Sequence, residues 1–329
     1  MNKAIYISIL LFCLSCARTK TINLRPHSFN SPPTGIIHLV IPGLSEEQFL
    51  FLDEKTIKGA TYIAIKNFTC FGSSWAHNLT KMRTNIATSL VSQMTGSAGS
   101  LNQCSEVSLV PIWDKLKPFA YKSVLLEVGG SVYSDALKCD KEFFKNTAVF
   151  TSKEGLTAKN TFHYQDKVEV SDGQRLSDKS CAKGECFSSL ENNFFKIWDE
   201  LKVSKNKYMM ISDYTLMNHI NKRDKEGFLK KVKEINLFIN QVFSRIVNIE
   251  QNVLFLVSGT QSMNVSLGRS FSRKSLNLRR MQKSMTGPIW AYGPQAENFC
   301  GSYPEYEIYN RMFWQTQEFE IPFKDLLNL

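Results

Sequence analysis

The chain has 329 residues, 43% hydrophobic and 21% charged, with 23 Phe, 17 Gly and 10 Pro. This composition excludes collagen-like, coiled-coil and wholly disordered chains, and the length admits one large α/β domain or two of medium size. Forty Lys and Arg against thirty Asp and Glu give a net charge of +10. That favours contact with anions such as nucleic acid, anionic lipid or lipopolysaccharide without choosing among them.

Residues 1–16 carry one cation, Lys3, and then an apolar run from Ala4 to Leu14, too short to span a bilayer by itself. The run ends Cys13-Leu14-Ser15-Cys16. A small residue followed directly by Cys at this place resembles a bacterial lipoprotein signal, which implies that Cys16 becomes the lipidated first residue. Cys13 departs from the aliphatic residue usual in that motif. Residues 17–35, with Arg18, Lys20, Arg25 and Pro32-Pro33, show little periodicity and read as a tether. The expected location is the bacterial cell envelope, with the exported chain held to a membrane by its lipid.

Six cysteines remain beyond the signal: Cys70, Cys104, Cys139, Cys181, Cys186 and Cys300. In an oxidising compartment they are disulfide candidates. Fifteen pairings are open, and Cys181 with Cys186 would close a small polar loop.

The domain expected over residues 36–329 begins with Ile36–Ile41, an apolar β-rich run stopped by Pro42-Gly43 and followed by a helical Ser45–Leu50. Further short apolar runs, each read as a strand, fall at Tyr62–Ile65, Val124–Val128, Tyr208–Ile211 and Val253–Val257. Residues 151–190 are polar and Gly-containing and read as an insertion or long loop. From Asp224 to Ile246 apolar residues recur at three- and four-residue steps, from Phe228 and Val232 to Phe243 and Ile246. This predicts a long amphipathic helix with Lys230, Lys231 and Lys233 on its solvated face. Strands alternating with helices predict an α/β fold, a mostly parallel central sheet with helices on both faces.

In such a sheet chemistry belongs at the carboxyl ends of the strands. There the segment Gly287-Pro288-Ile289-Trp290-Ala291-Tyr292-Gly293-Pro294-Gln295-Ala296-Glu297-Asn298-Phe299 resembles the last strand and loop of the alkaline phosphatase family. Val40–Gly43, Asn85–Gly96 and Leu254–Thr260 follow in that family's order. The resemblance implies an alkaline-phosphatase-like fold and, in working members, phosphate-ester hydrolysis by two zinc ions plus a magnesium and a Ser or Thr nucleophile. Such a cluster needs carboxylate oxygen and imidazole nitrogen, and the nucleophile needs a hydroxyl.

Position by position those groups are missing. Pro42 stands where the family has a bridging Asp, and Ile86 where it has its nucleophile. Gly259-Thr260 replaces its Asp-His pair, and Met285 the His of a later His-Thr-Gly. Asp213 and His219 keep the right residue types at the wrong spacing. His38, inside an apolar run, reads as a hydrogen-bonded core residue rather than a ligand. The expectation is a pseudoenzyme with no catalytic residue and no metal. The alternative is an active zinc- or magnesium-dependent phosphatase or phosphodiesterase with a rearranged site using Thr88, Asp213 and His219, with Thr84 a further hydroxyl in reach of a slipped register.

Between two of the lost positions lies a stretch with six cations and no acid: Arg269, Arg273, Lys274, Arg279, Arg280 and Lys283. Guanidinium forks match carboxylate or phosphate, so the segment is a candidate anion-binding site for an envelope component. Nucleic acid is not expected, because Phe271 alone is too little aromatic surface for a stacking platform.

Overall fold

The computed structural model describes residues 20–26, 33–49, 63–75, 85–97, 109–130, 132–133, 140, 142–151, 160–161, 170–177, 190–264 and 282–320. Its strands in chain order are β1 (Lys20–Pro26), β2 (Gly35–Pro42), β3 (Cys70–Trp75), β4 (Tyr121–Val128), β5 (Ala148–Thr151), β6 (Asn160–Thr161) and β7 (Arg175–Ser177), then β8 (Asn206–Asp213), β9 (Val253–Thr260), β10 (Met263–Asn264), β11 (Gln282–Lys283), β12 (Thr286–Tyr292), β13 (Gly301–Pro304) and β14 (Trp314–Glu320). The helices used below are α1 (Ile86–Thr95), α2 (Ile112–Leu116), α3 (Leu190–Leu201), α4 (Thr215–Lys222), α5 (Lys225–Val242), α6 (Asn248–Glu250) and α7 (Glu307–Arg311).

Ten strands form one sheet in the order β13-β3-β12-β9-β2-β8-β4-β5-β7-β6. Neighbours pair in parallel except at β12, which runs antiparallel to both β3 and β9. The polar region 151–190 contributes β6 and β7 to one margin, and Lys20–Pro26, within the stretch read as a tether, pairs antiparallel with β14.

Every residue of β2 is buried, as expected of a parallel strand covered on both faces. Its side chains alternate between two cores. Ile37, Leu39 and Ile41 meet Phe194, Trp198, Phe228 and Phe238 from α3 and α5, while Ile36 and Val40 meet Leu90, Trp113 and Ile308 from α1, α2 and α7. Each fully buried aliphatic or aromatic side chain contributes roughly 1.5–3 kcal/mol, so strand period and helix period converge on the same layers.

Two sequence expectations are corrected. Of the Tyr62–Ile65 run, the described residues 63–65 form no strand: Ala64–Asn67 forms a 3-10 turn, and the Ala64 N–H donates to Asn236 Oδ1 of α5 at 2.8 Å. Lys231 is not on a solvated face. It is buried and its Nζ lies 2.9 Å from the buried Asp213 carboxylate. The long helix otherwise matches, with Asp224 as its N-cap accepting the Gly227 N–H at 3.0 Å, and a π-helical turn over Phe243–Val247 at its end. Cys70 is disulfide-bonded to Cys300. Cys16, Cys181 and Cys186 lie outside the described residues.

Candidate functional site

The carboxyl ends of β2 and β9 meet at the centre of the sheet, with Pro42 paired to Thr260. Beyond them the chain is laced by its own backbone. The Gly43 N–H donates to Thr260 O at 2.8 Å, the Met263 N–H donates to Gly43 O at 3.3 Å, and Gln48 Nε2 donates to Gly43 O at 2.7 Å. Gly43 has φ of 88°, the left-handed turn that glycine makes without strain. Pro42 offers no ligand atom.

Gly259 is closed to any side chain. A Cβ there would lie 2.6 Å from Pro288 Cδ and 2.8 Å from Leu44 O, and a Cβ on the facing Gly287 would lie 1.8 Å from Gly259 O. The backbones of β9, β12 and the loop after β2 fill the volume that an Asp at this position would occupy.

Helix α1 begins beside this edge. Asn85 caps it, its Oδ1 accepting the Thr88 N–H at 2.7 Å, and Gly96 ends it in the left-handed region. The first helical residue is Ile86, partly buried against both cores. Thr88 is buried in the helix. Thr84 lies outside the described residues.

Three buried carboxyl groups stand along the same edge, each turned to its own partners. Asp213, ending β8, accepts the Thr215 N–H at 3.0 Å and the Thr215 hydroxyl at 2.5 Å and pairs with Lys231. Glu127, near the end of β4, accepts the Thr151 hydroxyl at 3.1 Å and the Tyr133 N–H at 3.3 Å. Burial pushes its pKa up to about 7, against the pull of those donors. Glu305, just after β13, accepts Gln93 Nε2 at 2.7 Å, and burial raises its pKa too.

Gln93 continues the chain inward. Its Oε1 accepts the Ser258 hydroxyl at 2.9 Å, and Ser258 Oγ lies 3.1 Å from His38 Nε2. With the Ser258 proton committed to Gln93, His38 must donate from Nε2. Burial holds its pKa near 3, so the imidazole is neutral. His38 is thus the hydrogen-bonded core residue expected from the sequence.

His219 is not brought to Asp213. Its Nδ1 lies 2.9 Å from Asp224, whose carboxyl is held below its ordinary pKa first by the Gly227 N–H and then by His219. Among the described residues no three His, Cys, Asp or Glu side chains converge as a metal site would require. Among the described residues of this edge, Pro42 and Gly259 carry no ligating side-chain atom, and Asp213 already faces an ammonium.

Of the basic segment, Arg269, Arg273, Lys274, Arg279 and Arg280 lie outside the described residues. Lys283 is exposed on β11, which pairs with β10 immediately after β9. The described residues on either side of the segment, β10 and β11, pair with each other. Sequence reasoning missed Glu127, Gln93 and Glu305. The one available signal was a carboxylate at position 127 inside an otherwise apolar strand run.

No protein-family model and no curated protein matches the chain. Solved structures do. The alkaline phosphatase of the Antarctic bacterium TAB5 aligns with a TM-score of 0.67 at 12% identity, covering 86% of this chain and 98% of that one. The Thermus thermophilus alkaline phosphatase aligns at 0.66 and 10%, covering 88% and 92%. The lipoteichoic acid synthase LtaP from Listeria monocytogenes aligns at 0.52 and 13%, covering 86% and 74%.

Proposed function

Starting from a chain that has the alkaline-phosphatase-like fold, we propose that it is a non-catalytic member of that architecture, tethered in the bacterial envelope and binding an anionic component there. The observation that carries the non-catalytic reading is position 259, where neighbouring backbone and Pro288 occupy the space a ligand side chain would need. Three further features support it. An aliphatic Ile86 heads α1, a proline ends β2, and the Lys231 ammonium sits where Asp213 would otherwise offer charge to a cation. A site without a bridging carboxylate or a positioned hydroxyl has no means to hold two cations or to displace phosphate. The purified chain should contain zinc, magnesium and manganese far below one equivalent and should not hydrolyse an aryl phosphate. Near-stoichiometric metal with chelator-sensitive hydrolysis would establish the rearranged-site enzyme instead.

The envelope location rests on the lipoprotein-like segment ending at Cys16 and on a disulfide of the kind oxidising compartments preserve. No helix among the described residues is long and apolar enough to cross a membrane. The anionic partner is argued from the cations of 268–283, a stretch whose described neighbours β10 and β11 pair with each other just after β9. Replacing Arg269, Arg273, Arg279 and Arg280 together with Gln should reduce capture of envelope components at low salt and remove its salt dependence. Unchanged capture would reduce the segment to a solvated loop.

A further inference from the structure

The ribbon formed by β1 and β14 stands apart from the ten-stranded sheet. Its strands pair antiparallel from Pro26 opposite Trp314 to Lys20 opposite Glu320. The root of the ribbon lies at the amino edge of the sheet, where β2 and β4 start. On one side Trp314 follows α7, whose Arg311 guanidinium donates to Asn298 O at 2.6 Å and whose Arg311 O accepts Asn298 Nδ2 at 3.1 Å. Asn298 belongs to the 3-10 turn Ala296–Phe299, which joins the end of β12 to the start of β13 at that edge. On the other side the chain beyond Pro26 rejoins the body at Pro33, whose carbonyl accepts the hydroxyl of Tyr121, the first residue of β4.

This pairing changes what the stretch between Cys16 and the body can do. A free tether over residues 17–35 would reach about 65 Å at full extension. With Lys20–Pro26 held in β1, only residues 17–19 separate Cys16 from the ribbon, and Cys16 to Lys20 spans about 14 Å at most. Paired strands lie about 4.8 Å apart, so Glu320 is kept nearly as close to Cys16 as Lys20 is. Directly after Glu320 comes Ile321-Pro322-Phe323-Lys324-Asp325-Leu326-Leu327-Asn328-Leu329, apolar except for one cation, one acid and one amide. Residues 321–329 lie outside the described residues, and the ribbon fixes where they start. A two-stranded ribbon is marginal in water by itself and gains stability from a third strand or an apolar surface.

We propose that the β1–β14 ribbon carries residues 321–329 onto the same bilayer surface that holds Cys16, so that the chain meets its membrane at two points, the lipid and this apolar stretch. The proposal rests on the reading of Cys16 as the lipidated residue. Lipid at Cys16 places the ribbon tip within about 14 Å of the bilayer surface, and the four residues after Glu320 cover a like distance. Nine residues are too few to span a bilayer, and an apolar stretch with little charge enters the headgroup boundary in proportion to the apolar area it buries. Bilayer rather than a second copy is the occupant, because the lipid holds the stretch beside the membrane at high effective concentration before any other chain is met. Two attachments at the ribbon tip also restrict the swing that one flexible strand would allow.

The test uses the full chain, processed in a bacterial envelope and reconstituted into vesicles of phosphatidylethanolamine and phosphatidylglycerol that carry a diazirine-bearing phospholipid. After illumination and digestion, mass spectrometry reads both the lipid on Cys16 and the photolabelled peptides. The expected result is label concentrated on residues 321–329. Thr316→Pro with Gln317→Pro should lower that label about tenfold while the chain still floats with the vesicles. Successive strand residues turn their N–H groups to opposite sides, so one of the two prolines removes a bond to β1. An unchanged denaturation midpoint would show that the body of this variant folds. Leu326→Ser with Leu327→Ser, which leaves the ribbon intact, should lower the label likewise. A lipidated chain with residues 321–329 unlabelled overturns the proposal, as does label that survives the proline pair, or a dimer that pairs β1 or β14 of two copies and leaves the stretch unlabelled. A chain without lipid on Cys16 overturns the anchor reading and the proposal with it, and the mass of the Cys16 peptide tells this failure from the others.

Discussion

Glu127 is a carboxyl group placed where its charge is costly. Its pKa in the fold is about 7, against an ordinary value of 4.5. A folded value above the unfolded one means that the native state binds the proton more tightly. The resulting contribution is fully present below about pH 4.5 and is lost as pH rises to about 7. The gap corresponds to about 3 kcal/mol. In Glu127→Gln, whose amide resembles the neutral acid, urea unfolding measured between pH 4.5 and 7 should show a flatter stability profile by about that amount; profiles parallel to the parent would sink the assignment. Position 259 answers to packing instead. The Cβ added by Gly259→Ala meets Pro288 Cδ and the Leu44 carbonyl, neither the end of a flexible side chain. The expected cost is about 1–3 kcal/mol by chemical denaturation.

Between elements, β8 and α5 are joined by an ion pair that neither reveals alone. Asp213 is buried at the end of its strand, and Lys231 reaches it from a helix position flanked by Lys230 and Lys233. Lys231→Met leaves a buried carboxylate without its counter-charge and should cost about 3–5 kcal/mol. Asp213→Asn combined with Lys231→Met should recover much of that loss, because the uncompensated charge is then gone. A double-mutant cycle by denaturant titration reads the coupling, and additive losses would mean the two groups do not act as a pair. At α1, Asn85→Ala removes the acceptor for the Thr88 N–H and should cost about 1 kcal/mol.

Across the whole molecule, two cores on opposite faces share one sheet, and the disulfide ties residues separated by 230 in sequence at its margin. Cross-linking so distant a pair restricts the unfolded chain, and removing it with Cys70→Ala and Cys300→Ala should cost about 2–4 kcal/mol. The loss should be measurable as a lower denaturation midpoint with β13 still paired to β3 in the native state. An unchanged midpoint would mean that the strand pairing alone holds this margin.

The sequence by itself determined the central parallel strands, because β2, β4, β8 and β9 are buried on both faces and must read as continuous apolar runs. It also determined α5, whose one buried face requires a 3.6-residue period. Local pattern did not reach β3, where Gly72-Ser73-Ser74 interrupt any apolar run. It misread Tyr62–Ile65, where a side chain from α5 captures the backbone. Only the tertiary structure decided that Cys70 pairs with Cys300, that Lys231 turns inward to Asp213, and that Glu305, Gln93, Ser258 and His38 form one buried chain. Each of these joins residues far apart along the polypeptide, and a buried charge or polar atom acquires its partner only when layers pack and water leaves.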